Sequence, residues 1–415
     1  MPKGGGKMKY IVIIALIATI AMGYTYHGAY LLDGPVAPPS AEILGMGGLR
    51  VLPPENSANL IWAPAALPKK GISVGVNLSL THVSESRALP LFDSFDNQVA
   101  WTPYVSMLQT YPDFAITASY GFEGEWIPTI ALGYAPLFDA RYIYREQVRG
   151  GSGATTDVLL GVWSIDSDGG LAGPSIGISE AILEYATIGL SASILSGTLE
   201  MSRSRAVGDS ITHNAEPWEA PFDSDTLYSA ELSGTMISLS AIITPTERWQ
   251  IGLRYTPKTD LGESLYMDFL PSRLGIGVGY RPSGYVMSRI VAEAEMVGYG
   301  ALADEDSAFA VLEDAWEFRL GMEHILPKNV PLRIGAFYRK IPLADPIAKS
   351  GFTIGSGVAF GPAVVDFAAS YEMSRYSWHD QFPNSWLGSS SGDRENLDRV
   401  EEGILTGSVS IKVEF

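Results

Sequence analysis

The sequence predicts an all-β chain rolled into a closed, antiparallel, membrane-spanning barrel of roughly 14 to 16 strands, the strand number for such barrels ranging from 8 upward. Three observations lead there. Apolar residues recur at every second position along most of the 415 residues. Tyr and Trp gather near the ends of those runs. Beyond the N-terminus, no run reaches the roughly 18 to 20 apolar residues that a spanning helix needs.

The N-terminus reads as an address. Lys3, Lys7 and Lys9 precede a short apolar core from Tyr10 to Met22, with small residues at Ala21 and Gly23. That layout is a secretory signal peptide. Residues 1–23 are therefore set apart from the fold, with cleavage after Gly23 expected and a site near Ala29 as the alternative.

The alternation is explicit in five stretches. Ile72, Val74, Val76, Leu78 and Leu80 share one face; Ser73, Gly75, Asn77 and Ser79 share the other. Leu274, Ile276, Val278 and Tyr280 alternate with Gly275, Gly277, Gly279 and Arg281; Trp316, Phe318, Leu320 and Met322 alternate with Glu317, Arg319, Gly321 and Glu323. Val365, Phe367, Ala369, Tyr371 and Met373 repeat the pattern, and Val409, Ile411, Val413 and Phe415 end the chain with it. A soluble sandwich also alternates. The runs, at about 9 to 12 residues, suit a tilted membrane span instead. Tyr134, Tyr142, Tyr144, Trp249, Tyr338, Tyr376 and Trp378 are placed to form interfacial girdles, and closure removes the unpaired edges that lipid forbids. Short Pro/Gly turns at 280–284 and 325–329 contrast with long polar loops expected at 84–112, 203–226, 300–314 and 377–402. One domain follows, with short periplasmic turns and long external loops.

Composition narrows function. There are no cysteines, so disulfides, Cys-ligated zinc and thiol catalysis are excluded. A net charge of −18 with no basic stripe argues against a nucleic-acid partner. Gly173-Pro-Ser175-Ile-Gly177 matches a nucleophile elbow, but the motif needs a strand–turn–helix and a stretch of strand surrounds it here. The five histidines, His27, His82, His213, His324 and His379, are isolated and show no metal spacing. No enzyme, metal or cofactor is expected. Arg254, Arg281, Arg289, Glu293, Glu295, Glu317, Arg319, Arg333 and Glu372 are expected to face inward as a network of both signs.

The segment after the leader is not strand-like. It carries Gly45-Met-Gly47-Gly48, then Asn56-Ser-Ala-Asn-Leu-Ile-Trp-Ala63-Pro64-Ala65. These residues, with the stretches 249–257, 270–280 and 331–339 in the same order, resemble the FadL-type outer-membrane transporters of fatty acids and hydrocarbons. That family's Asn-Pro-Ala is Ala63-Pro64-Ala65 here, which puts in doubt any contact made by the Asn. The resemblance implies 14 strands (residues 71–415) around an N-terminal hatch (24–70) held by Gly45, Gly47, Gly48, Pro64 and Ala65. It implies passive uptake of hydrophobic small molecules across the outer membrane, with exit through a lateral gap. The alternatives are a protein-binding scaffold barrel of the type IX secretion kind, or a general diffusion porin. Expected partners are a hydrophobic ligand, outer-membrane lipid, and the barrel-assembly machinery through Val409, Ile411, Val413 and Phe415.

Overall fold

The computed structural model describes Thr25 and residues 38–122, 128–150, 158–207, 223–262, 269–282, 287–300, 312–342, 347–382 and 397–415. The expected leader, His27 and His213 lie outside these residues.

The strands are β1 (Gly71–Phe92), β2 (Gln98–Gly121), β3 (Thr129–Asp139), β4 (Tyr142–Gly150), β5 (Val158–Leu183), β6 (Ala186–Val207), β7 (Asp223–Thr246), β8 (Trp249–Thr256), β9 (Thr259–Asp260) and β10 (Phe269–Leu270). They continue with β11 (Ser272–Tyr280), β12 (Ser288–Gly298), β13 (Ala315–Leu326), β14 (Val330–Lys340), β15 (Ala348–Phe360), β16 (Ala363–Trp378) and β17 (Asp398–Glu414). Consecutive strands pair antiparallel, except that β3 and β4 do not pair with each other, β9 and β10 form a separate ladder and β8 pairs directly with β11. β17 pairs with β1, from Ser73↔Glu414 to Ala88↔Arg399, and the wall closes. β3 and β4 both pair with β5 and are two halves of one wall strand. The result is a 14-stranded antiparallel barrel.

Alternation sorts the side chains as the sequence predicts. Ile72, Val74, Val76, Leu78 and Leu80 are exposed on the outer face, as are Leu274, Ile276, Val278, Trp316, Phe318, Leu320, Val409, Ile411 and Phe415. Ser73, Asn77 and Ser79 are buried inside. A continuous belt of this kind is stable only against hydrocarbon, so the barrel spans a membrane. Tyr134, Trp249 and Tyr338 lie on that outer face.

Three expectations fail. Tyr142 and Tyr144 are 1% and 0% exposed, and Tyr376 is also buried; all three point inward and donate hydrogen bonds to Glu85, Glu146 and Glu402. The strands are not uniformly 9 to 12 residues. β1, β2, β5, β6 and β7 run to between 22 and 26, whereas β8 and β11–β15 run from 8 to 13. The rim is therefore lopsided, with a tall wall on the β1–β7 side. Residues 84–112 are accordingly not a loop but most of the β1–β2 hairpin. Its tip turns at Asp93, whose carboxylate accepts the amides of Phe95 (2.8 Å) and Asn97 (2.9 Å). Polar residues continue the pairing because a ladder above the bilayer needs no greasy face.

Candidate functional site

The lumen is filled, at the end with the short turns, by residues 38–67. Ser40 caps a one-turn helix, α1 (Ala41–Gly45), by accepting the Glu42 amide. Two 3-10 turns follow, Ser57–Leu60 and Pro64–Ala66. Close approach to the wall rests on glycines. Gly47 has φ +80, and a Cβ there would sit 2.8 Å from the Leu320 carbonyl. Gly335 faces the Gly47 backbone, and Gly45 faces Gly355. Thr353 accepts from the Gly47 amide (2.9 Å) and donates to the Gly45 carbonyl (3.0 Å). Gly48 has φ +67 and lies beside Pro38. Pro64 opens its turn, and the Ala65 amide donates to Ser240 (2.8 Å) opposite Gly189. Gly47→Ala is expected to destabilise the folded barrel by about 1–3 kcal/mol, the usual cost of a strained left-handed residue. Temperature-dependent gel mobility of the folded and unfolded forms measures it.

Charge fixes the segment. The Glu293 carboxylate accepts three successive amides, from Arg50 (2.8 Å), Val51 (3.0 Å) and Leu52 (2.6 Å). Arg289 donates to the Leu52 carbonyl (3.0 Å). Glu295 pairs with Arg254 (2.7 Å) and Arg273 (2.8 Å), and Glu317 pairs with Arg273 (3.1 Å) and Arg319. Arg333 joins Glu42 (3.0 Å), Glu323 (2.7 Å) and Asp366 (2.6 Å), while Arg339 holds Glu372 (2.8 Å). The expected two-signed network is therefore present, except for Arg281, which is exposed beside the turn Arg248 carbonyl it hydrogen-bonds. Sequence reasoning missed Arg50, whose guanidinium lies 4.4 Å from the Trp62 ring centre, and Asn59, whose side chain ties Pro54 (2.6 Å) to Ala66 (2.8 Å). A repeated Asn three residues after Asn56 was the available signal.

Above this floor the lumen turns apolar. Trp163, Ile165, Leu171, Leu195, Leu199, Met201, Leu232 and Met236, all on the tall wall, pack with Leu261, Phe269, Tyr299, Ile341 and Phe382 from the loop side. Ile61 and Trp62 supply the floor. Phe382 sits between Tyr144 and Trp163, with ring centres 5.9 and 6.0 Å away. In its outer half the inner face thus becomes an apolar-lined chamber, which also encloses the buried ion pairs Arg87–Glu85 and Lys349–Glu402.

The chamber meets a weak line in the wall. β2 and β3 share a ladder only from Gly121↔Thr129 to Ile116↔Tyr134. Beyond it β2 continues to Gln98 and the third strand to Gly150, yet among the described residues no ladder pair joins β2 to β4. The third strand has already slipped register against β5 between Pro136 and Phe138, opposite Ala172 and Leu171, and breaks at Ala140–Arg141. The seam starts level with Leu78, a residue of the apolar belt, since Leu78 pairs with Phe114. Ala115, Ala135 and Phe138 lie just behind it, in the chamber cluster.

No protein-family model matches the chain, and no curated protein matches its sequence. Solved structures do match. A FadL homologue of Pseudomonas aeruginosa superposes with a TM-score of 0.62 at 12% identity, over 92% of this chain and 99% of that one. The Pseudomonas putida toluene transporter TodX gives 0.59 at 13%, and the monoaromatic hydrocarbon channel CymD gives 0.58 at 13%, with the same coverage. The chain has the FadL-type barrel fold. At these identities the likeness speaks to architecture, and this FadL-type barrel's own side chains must carry the chemistry. Its Ser175 is part of the wall: the hydroxyl pairs with that of Ser193 (2.7 Å) inside the β5–β6 ladder, with no helix following. His82 and His324 each bond a neighbouring hydroxyl, Thr110 and Ser288, and the His379 carbonyl accepts from Arg87.

Proposed function

We propose that this barrel admits hydrophobic small molecules passively across the bacterial outer membrane, and that residues 38–67 act as its hatch. A ligand would enter the apolar chamber from outside, stop above Ile61 and Trp62, and leave sideways through the β2–β4 seam into lipid. The single supporting observation is that seam: a ladder that ends level with the apolar belt, in front of a chamber lined by Ala115, Ala135 and Phe138. A predominantly apolar lining suits such ligands. The proteins with this fold that are described as toluene transporters or hydrocarbon channels point the same way. A filled floor disfavours a general diffusion pore. The outward residues Val409, Ile411 and Phe415 sit on the strand that closes the barrel, which fits a role as assembly signal.

Uptake of a labelled alkylbenzene or fatty acid by proteoliposomes is expected to exceed that of empty liposomes by at least about tenfold, since a facilitated path removes a barrier of order 1.4 kcal/mol or more. Deletion of residues 30–68 should convert the nearly silent barrel into a conducting pore in planar bilayers. Equal uptake with and without protein would reject the transport reading and favour a protein-binding scaffold.

A further inference from the structure

We infer that Arg141 is the gate residue of the seam, holding it shut by side chains where the backbone ladder is missing. The inference rests on the seam being the exit and names what controls it.

Side chains span the line at three heights. Gln109 donates to the Ile143 carbonyl, and its own carbonyl accepts from the buried Tyr111 hydroxyl. The Arg145 amide meets the Met107 sulfur at 3.1 Å. Lowest of the three, three residues past Ile116 on β2, Arg141 reaches across to Asp113 (3.6 Å) and lies 5.4 Å from the Tyr111 ring centre. These contacts take the place of a sheet.

Arg141 is also bound to its own strand, and more tightly. Its Nε donates to both Asp139 carboxylate oxygens (2.8 and 2.9 Å), Nη2 donates to the same group, and its amide donates to Asp139 as well (3.0 Å). The two ties differ in kind. A bidentate, charge-assisted pair is strong and directional, whereas a partly exposed ion pair at 3.6 Å and a distant ring contribute little. Opening the seam breaks the weak tie to β2 and keeps the strong one to Asp139. The guanidinium is thus never left uncompensated in either state, the condition that would otherwise make a buried charge a poor hinge. Asp139 serves as the resting partner and Asp113 as the closing partner. The break in the third strand at Ala140–Arg141 falls between β3, which keeps its ladder to β2, and β4, which must separate from it.

The two aspartates therefore predict opposite effects. Asp113→Asn removes the closing partner, and proteoliposome uptake of a labelled alkylbenzene should rise about two- to fivefold, the scale of one weak ion pair. Asp139→Asn removes the resting partner, so Arg141 leans on Asp113 and uptake should fall. Rising ionic strength should speed uptake by the parent barrel and leave Asp113→Asn unmoved. Because the chain has no cysteine, the double variant Gln109→Cys/Ile143→Cys can be bridged with a short bifunctional maleimide to close the seam covalently. Each variant is first checked for the folded, heat-shifted gel band. If bridging stops uptake but the two aspartate variants match the parent or move together, the gate inference is overturned while the exit stands. If the bridged barrel transports as fast as the unbridged one, the exit reading itself fails.

Discussion

Glu293→Ala is expected to release the luminal segment and turn a nearly silent barrel into a leaky one. The carboxylate receives the amides of Arg50, Val51 and Leu52, groups with no strand or helix of their own to satisfy them. Its removal leaves those three buried donors without an acceptor. Each buried amide left without its acceptor costs about 1–3 kcal/mol. The wall ladder is untouched, because Glu293 pairs by backbone with Gly277 and Arg319 whatever its side chain. Planar-bilayer conductance should therefore rise while the barrel keeps its folded gel mobility. Leu52, seated against Gly252 and Gly277, would lose its register first. A conductance equal to the parent's would show that the glycine contacts at Gly45 and Gly47 hold the segment unaided.

Ile276→Arg should destabilise the barrel by about 2–4 kcal/mol, the cost of a cation near the bilayer midplane on the lipid face. Ile276 is 50% exposed, in the centre of the outward row of β11. The companion variant Gly407→Arg should repeat the outcome: it too lies on the outer row, between Leu405 and Val409, and should cost as much. By contrast Ser408→Arg, one residue on, faces the lumen beside Asn77 and Ser79 and should be tolerated far better by the hydrocarbon, its expense being steric. Urea unfolding in lipid vesicles measures all three. Equal losses on both parities would deny that the outer face meets lipid.

How much of this was legible beforehand depends on range. Strand parity in β1, β11, β13, β16 and β17 was readable because the pleat sets it residue by residue, and a membrane demands apolar residues on one side. The inward charged network was readable in part for the same reason: Glu293, Glu295, Glu317, Arg319 and Arg333 occupy the opposite parity. The greasy chamber was not read, although its trace was present. In β6 the outward apolar residues Ile188, Leu190 and Ile194 have even numbers, while Leu195, Leu199 and Met201 are odd and buried. No register shift against β7 intervenes before Met201, so the change of parity marks a change in what the lumen holds. Tyr142 and Tyr144 were misplaced because a girdle and a chamber wall use the same amphipathic ring, and only closure tells which side faces lipid.

The sequence by itself determined a closed sheet and which face meets hydrocarbon, because both follow from a two-residue period. Tertiary structure alone decided that Glu293 clamps a segment more than 240 positions earlier, that the wall is tall on one side, and that β2 and β4 part company above Tyr134. Those are matters of which groups meet after the ring has closed. Local chemistry cannot specify them, since the energy that fixes them resides in pairs brought together only by the finished barrel.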